Sequence, residues 1–348
     1  MIKRFLLNIF LILFPVTLIV TLINYTIDPA NIFSTNLYIE NIAAILSKGH
    51  NVDNVSNYDE RLLQEQMIHR LNYTPDVVVL GSSRIMQVGA DFFPQKRVLN
   101  CGVSHANIKD IYAIVGLLDS MKKMPAEILL NVDPGLICKF SSNEWESLDI
   151  YYKHFISTQF NDKSSNYSGS QYILRKRISS LFSIQYFQSA VLFLSKKRSK
   201  KYTDVGDRLP VSSGRLADGT IAYSYEYMHP DTAVIANNAA RRGKESGAGE
   251  IDTAQRQLFE KLLDYLKSKN IKVTLCMMPF HPEYYKATNE YHQQQFINYT
   301  LYYKDLAFRK RVPIKGNFDG SAYSISESAF YDDSHSSKES LKKILTQQ

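Results

Sequence analysis

The stretch Val77-Val78-Val79-Leu80, broken by Gly81-Ser82-Ser83-Arg84, constrains this chain more than any other. Four β-favouring apolar residues in succession suit a strand buried on both faces, as in a parallel sheet covered by helices. A glycine at its end lets the backbone turn sharply, so the next side chains stand at the strand's carboxyl end, where open α/β sheets bind ligands. A serine on that turn can present its hydroxyl beside the N–H groups of a following helical turn. Ser83 is therefore a candidate nucleophile, although a plain Gly-Ser-Ser helix cap accounts for the same residues.

The surrounding pattern is that of alternating strands and helices. Further strands are expected over Arg97–Cys101, Glu127–Asp133 and Ile271–Met278. Between them, Asn107 caps a helix carrying Ile108, Ile111, Tyr112, Val115 and Leu118 on one face, and a second helix runs from Thr253 to Lys269. Another helix is expected at about Glu290 to Arg309, and a short one closes the chain. Alternation of this kind predicts the α/β class, with a parallel sheet between helical layers.

Ahead of this domain, Lys3-Arg4 precede an apolar run from Phe5 to Ile23, interrupted only by Asn8, Pro15, Thr17 and Thr21. Its length is close to the roughly 20 residues that cross a bilayer. No small-residue cleavage site follows, and two cations precede the run, so the expectation is an uncleaved anchor with its N-terminus in the cytoplasm. The division expected is an anchor over 1–28, a connector over 29–73 and the α/β domain over 74–348. Residues of about 139–250 interrupt that domain's rhythm and read as an insertion, either a lid or substrate-contacting subdomain or a surface excursion.

With 348 residues, 45% of them hydrophobic and 22% charged, wholesale disorder is excluded. The chain has 41 Lys and Arg against 34 Asp and Glu, a formal charge of +7, with a basic cluster at Lys196-Lys197-Arg198-Ser199-Lys200-Lys201. No nucleic-acid-binding motif accompanies that cluster, so no nucleic acid is expected as partner. Cys101, Cys138 and Cys276 show no paired spacing and read as small buried hydrophobes. No histidine pattern of metal-ligand type and no phosphate-cradling glycine loop is present, and neither metal nor cofactor is expected.

Acyl transfer through serine needs a base, a carboxylate that holds the base, and donors for the oxyanion. His335 is the candidate base, and Asp332, three residues earlier on a turn, its partner; Asp333 is the alternative carboxylate. The backbone N–H groups of Ser83 and Gly102 are candidate oxyanion donors, with an amide side chain as a third. Arg84 suits an anionic substrate group or a helix-end carboxylate. His281 suits either the substrate cleft or a structural loop, and His105 lies just beyond Gly102.

These blocks resemble those of the SGNH (GDSL-like) hydrolase superfamily. Gly81-Ser82-Ser83 stands where that family has its Gly-Asp-Ser block, Gly102 where it has an oxyanion glycine, and Asp332-x-x-His335 matches its terminal block. Ser82 replaces the usual Asp. Asn131-Val132-Asp133-Pro134 stands at the place of the third block, Gly-x-Asn-Asp, so Asn131 takes the place of the third oxyanion donor. The resemblance covers about Asp76 to His335 and implies a flavodoxin-like three-layer sandwich. With its anchor, the layout is similar to the DltD and AlgJ/AlgX-type proteins of envelope polysaccharide acylation. That likeness implies a single-pass protein of a bacterial cytoplasmic membrane, its domain on the outer side. The implied activity is O-acyl transfer or ester hydrolysis on an envelope glycan through a Ser83 acyl-enzyme, beside a membrane-bound O-acyltransferase. The alternative is a catalytically silent assembly partner of such an acyltransferase.

Overall fold

The computed structural model describes residues 2–29, 32–33, 37–139, 142–161, 169–195 and 202–346. Its strands, in chain order, are β1 (Asn51–Asp53), β2 (Val77–Leu80), β3 (Val98–Asn100), β4 (Glu127–Asn131), β5 (Thr203–Gly206), β6 (Gly214–Arg215), β7 (Ile221–Ala222), β8 (Lys272–Met277) and β9 (Ile314–Gly316). Five of them form a sheet in the order β3-β2-β4-β8-β9, with every adjacent pair parallel. The fold is thus mixed α/β around a parallel sheet, compatible with a flavodoxin-like sandwich. In this strand order the winding direction reverses between β2 and β4. The crevice beyond their carboxyl ends is where such sheets place a site.

The helices that matter here are α1 (Ile2–Ile27), α2 (Glu60–Arg70), α3 (Ile108–Ser120), α4 (Asp149–Phe160), α5 (Gly169–Leu181), α6 (Ile184–Ser195), α7 (Thr253–Ser268), α8 (Glu290–Lys310) and α9 (Lys338–Thr346). Asn107 starts α3 through a reciprocal cap. Its Oδ1 accepts from the Lys109 and Asp110 N–H groups, while the Asp110 carboxylate accepts from the Asn107 N–H. Ion pairing with Arg61 of α2, at 2.6 Å, makes burial of the Asp110 carboxylate tolerable. The larger core lies on one face of the sheet, where Val78, Leu80, Ile128, Leu130 and Leu275 meet α3, α7 and α8. On the other face Val77, Val79, Leu129 and Cys276 pack against Leu341 and Ile344 of α9. All three cysteines are buried and unbridged.

The segment expected as an insertion is tied into the fold at its later half. Strands β5, β6 and β7 join β1, from the connector, in an antiparallel sheet of order β5-β1-β6-β7. Arg215 of β6 is fully buried and donates to Tyr58 at 2.5 Å, to the Gly219 carbonyl at 3.0 Å and to Glu60 at 3.1 Å. The β6–β7 hairpin reaches the parallel sheet as well: the Asn100 N–H donates to the Asp218 carbonyl, and the Ile221 N–H to the Met86 carbonyl.

Helix α1 has 26 residues, a length of about 39 Å at 1.5 Å per residue. Leu11, Phe14, Leu18 and Leu22 on it are exposed, while the side chains of Phe5, Leu6, Asn8, Ile9 and Ile12 lie outside the described residues. Among the described residues no single helix is long and apolar enough to cross a membrane. One pair of segments, Leu174–Leu181 with Ile184–Ser195, meets that criterion together but is bent by 74°. The basic cluster at 196–201 lies outside the described residues.

Candidate active site

Strand β2 delivers its carboxyl end to Gly81, whose φ of +141° is open to glycine and strained for other residues. A Cβ at that position would stand 2.5 Å from Asn131 Cβ, because the end of β4 crosses directly beneath the turn. Gly81→Ala is accordingly expected to cost about 1–3 kcal/mol, from backbone strain and overpacking together. A lowered urea midpoint with an unchanged m-value checks this.

Beyond Gly81 the chain enters a 3₁₀ turn over Ser83–Ile85, capped by Ser82. The Ser82 hydroxyl accepts from the Arg84 N–H, and its own proton is shared between Asn131 Oδ1, at 3.0 Å, and the Asp133 carboxylate. Ser82 thus braces the turn against β4, and Ser83 stands next to it, half-buried.

The Ser83 Oγ lies 2.8 Å from His335 Nε2, and His335 Nδ1 lies 2.7 Å from Asp332 Oδ2. Asp332 Oδ1 accepts from the N–H groups of Ser334 and His335, both at 2.8 Å, which fixes the turn that carries the imidazole. Asp333 faces away and pairs with Arg242 at 2.8 Å, so Asp332 is the carboxylate that meets the histidine. The imidazole is about one-fifth exposed, enough for a ligand to reach the serine–histidine pair from solvent. A hydroxyl, an imidazole and a carboxylate in this sequence form a proton relay.

Sequence reasoning missed Tyr227. It sits on the short helix Tyr225–Met228 within the insertion, and its hydroxyl donates to Asp332 Oδ2 at 2.7 Å, the oxygen that also meets His335. Tyr223 and Tyr331 pack around it. Burial and the adjoining Asp332 charge push the Tyr227 phenol well above its ordinary value, which keeps it a donor. For Asp332, burial acts to raise the pKa. The hydrogen bond and charge of His335 outweigh that effect, with help from Tyr227 and the Ser334 N–H, and hold the carboxyl well below the usual range.

The sign of the resulting pH dependence is fixed. A carboxyl with a depressed folded-state pKa contributes stability that is complete above its unfolded value, near about 4, and lost as pH falls through the folded value. Stability is therefore expected to decline below about pH 4 in part through Asp332. Asp332→Asn should remove that part of the decline, and Tyr227→Phe should shrink it. Urea midpoints measured as a function of pH check both.

The other expected site residues have partners of their own. The Ser83 N–H has no hydrogen-bond acceptor among the described residues and faces no competitor as an oxyanion donor. The Gly102 N–H differs from expectation: it donates to Asn100 Oδ1 at 2.8 Å, while the Asn100 amide donates to the Ile85 and Val88 carbonyls. Asn131 likewise turns inward. Its amide donates to the Cys276 carbonyl and toward Asp133, and its Oδ1 accepts from the Ser82 N–H.

Arg84 is buried, and each of its three nitrogens has a partner. It pairs with Asp133 at 2.7 Å, donates to the Met278 and Ser334 carbonyls, and lies 3.9 Å over the Phe280 ring. It therefore joins the ends of β2, β4 and β8 to the His335 turn, a structural clamp of the site. His281 is buried, with its Nδ1 accepting from the Glu283 N–H as a helix cap and its backbone N–H donating to the Asp333 carbonyl. Burial lowers its pKa, so it supports the turn as a neutral ring. His105 is exposed, with φ of +51°.

A cavity of about 740 Å³ lies elsewhere: it opens at the amino-terminal end of the strands, beside Val77, Glu127 and Lys272. The relay lies at the opposite end. The hydrogen-bond chain marks the candidate site more than cavity volume does, because chemistry needs placed groups before it needs volume. Among the described residues no group of three or more His, Cys, Asp and Glu side chains is arranged to hold a metal ion. No protein-family model matches the chain, and no curated protein matches it.

Proposed function

We propose that this chain is a serine O-acyltransferase or acylesterase of the SGNH type, acting on a cell-envelope polysaccharide. The observation that carries the reading is the unbroken chain from Ser83 Oγ through both nitrogens of His335 to Asp332. In the first step the Ser83 hydroxyl attacks the acyl carbon while its proton passes to His335 Nε2. Asp332 supports the imidazolium, and the Ser83 N–H donates to the developing oxyanion. His335 then returns the proton to the leaving oxygen, leaving acyl-Ser83. In the second step the same nitrogen takes a proton from a glycan hydroxyl or from water, and that oxygen displaces Ser83.

The membrane-anchored placement is supported by the 26-residue α1 with its exposed apolar side chains, behind two cations. The strand order supports a three-layer SGNH-like sandwich. A second reading, a non-catalytic partner of a membrane-bound acyltransferase, is favoured by one observation: the Gly102 N–H and the Asn131 amide are both engaged away from Ser83.

Treatment of the detergent-solubilised full-length protein with a fluorophosphonate separates the two. The enzyme reading predicts one adduct, mapped to Ser83 and absent from Ser83→Ala. A folded protein that takes up no probe favours the partner reading.

A further inference from the structure

Helices α5 and α6 form an open, L-shaped hairpin, bent by 74° rather than folded back on itself, and both helices pack against α1. At the bend sits one buried side chain. The Asn24 amide, from the last turns of α1, donates to the carbonyls of Ser180, Leu181 and Ser183 at 2.9–3.0 Å. Just past the end of α1, Asp28 accepts from the Tyr186 hydroxyl at 2.7 Å. The hairpin is thus pinned where α1 ends.

Large apolar side chains project from it, among the exposed Arg175 and Arg177. Leu174, Ile178, Phe182, Ile184, Leu192 and Leu194 are each at least half exposed. Such a patch on a water-soluble surface marks an interaction site. Three observations identify the occupant as lipid. At the bend the Ser180 and Ser183 carbonyls keep backbone donors, the Ser183 and Phe187 N–H groups, and the Asn24 amide adds a further donor shared among these carbonyls and that of Leu181, so the junction's polar groups are met internally, as an apolar medium favours. Both helices pack against α1, which itself exposes apolar residues such as Leu18 and Leu22. Finally, the sequence that follows α6 is Lys196-Lys197-Arg198-Ser199-Lys200-Lys201, five cations in six residues, which complement anionic headgroups. Helices of 13 and 12 residues are about 20 and 18 Å long, too short to cross hydrocarbon.

We propose that the α5–α6 hairpin lies in the headgroup–acyl boundary of the outer leaflet, as a lipid-seated collar around the emerging end of α1. The inference rests on α1 being the anchor. Because the same insertion sends Tyr227 to Asp332, the collar would tie the orientation of the relay to the membrane surface.

The test uses full-length protein reconstituted in phosphatidylcholine vesicles with phosphatidylglycerol. The native cysteines are buried, so an environment-sensitive fluorophore can be placed singly at Leu192→Cys (hairpin), Leu18→Cys (α1) or Val211→Cys, an exposed domain position. Lipids carrying a nitroxide high on the acyl chain then serve as quenchers. The expected result is blue-shifted, strongly quenched emission at 192 and 18, and none at 211. Quenching at 18 with 192 behaving like 211 overturns the collar and leaves the anchor standing, with a protein partner as the remaining occupant. Absence of quenching at both 18 and 192 refutes the anchor and the collar with it.

Discussion

Arg84→Met is expected to cost about 3–5 kcal/mol of stability, because it strips the partner from a largely buried carboxylate. The Asp133 side chain, about one-tenth exposed, loses its only ion pair among the described residues, and the carbonyls of Met278 and Ser334 lose a donor. The same substitution cuts the link between the Ser83 turn and the His335 turn, so fluorophosphonate labelling should slow even under conditions where the protein stays folded. Arg84→Lys keeps the charge but not the planar fork, which here reaches three acceptors in different directions. It should recover only part of the loss. Urea unfolding of the wild-type protein and both variants checks the order. Equal stability of Arg84→Met and wild type would contradict the clamp.

His335→Ala is expected to give the largest kinetic effect, with labelling of Ser83 slowed on the order of 10⁴-fold or more, since the serine loses its base. Stability above about pH 4 should fall only by the share that the Asp332–His335 pair contributes. The side chain is partly exposed, and the backbone bonds that hold the turn, from the Tyr331 N–H to the His335 carbonyl and from the His335 N–H to Asp332, do not need the imidazole. Rates of adduct formation by intact-protein mass, set against thermal midpoints, separate this outcome from simple unfolding. A rate within tenfold of wild type would remove His335 from the role of base.

These expectations differ in how far the sequence announces them. The β2 strand and its turn are legible because a run of β-favouring apolar residues ending in glycine has few other uses, and the strand forms over Val77–Leu80 as expected. Asp332 and His335 are legible because their contact is local: a three-residue spacing on a turn brings carboxylate and imidazole together. The long-range partners leave no such trace. Nothing near Tyr227 in the chain signals that it meets a carboxylate 105 positions later. The sequence leaves Arg84 between an anionic substrate group and a helix-end carboxylate because its acceptors, Asp133, Met278 and Ser334, come from three distant segments. Strands β6 and β7 have two residues each, too few for an alternating pattern, so the insertion reads as irregular although Arg215 buries itself within it. The Gly102 N–H was a reasonable oxyanion donor by position. Its acceptor is the side chain two residues before it, and only the backbone path of the turn brings that oxygen within reach.

The central claim is that Ser83 carries an acyl group. Its most direct test is to incubate the full-length protein with an activated acyl ester, such as p-nitrophenyl acetate, quench in acid, and map acylation by peptide mass. The account predicts acetyl on the peptide containing Ser83, formed in the wild-type protein, absent from Ser83→Ala and strongly reduced in His335→Ala. A folded wild-type protein left unmodified at Ser83, or modification that persists elsewhere in Ser83→Ala at the wild-type level, would contradict it.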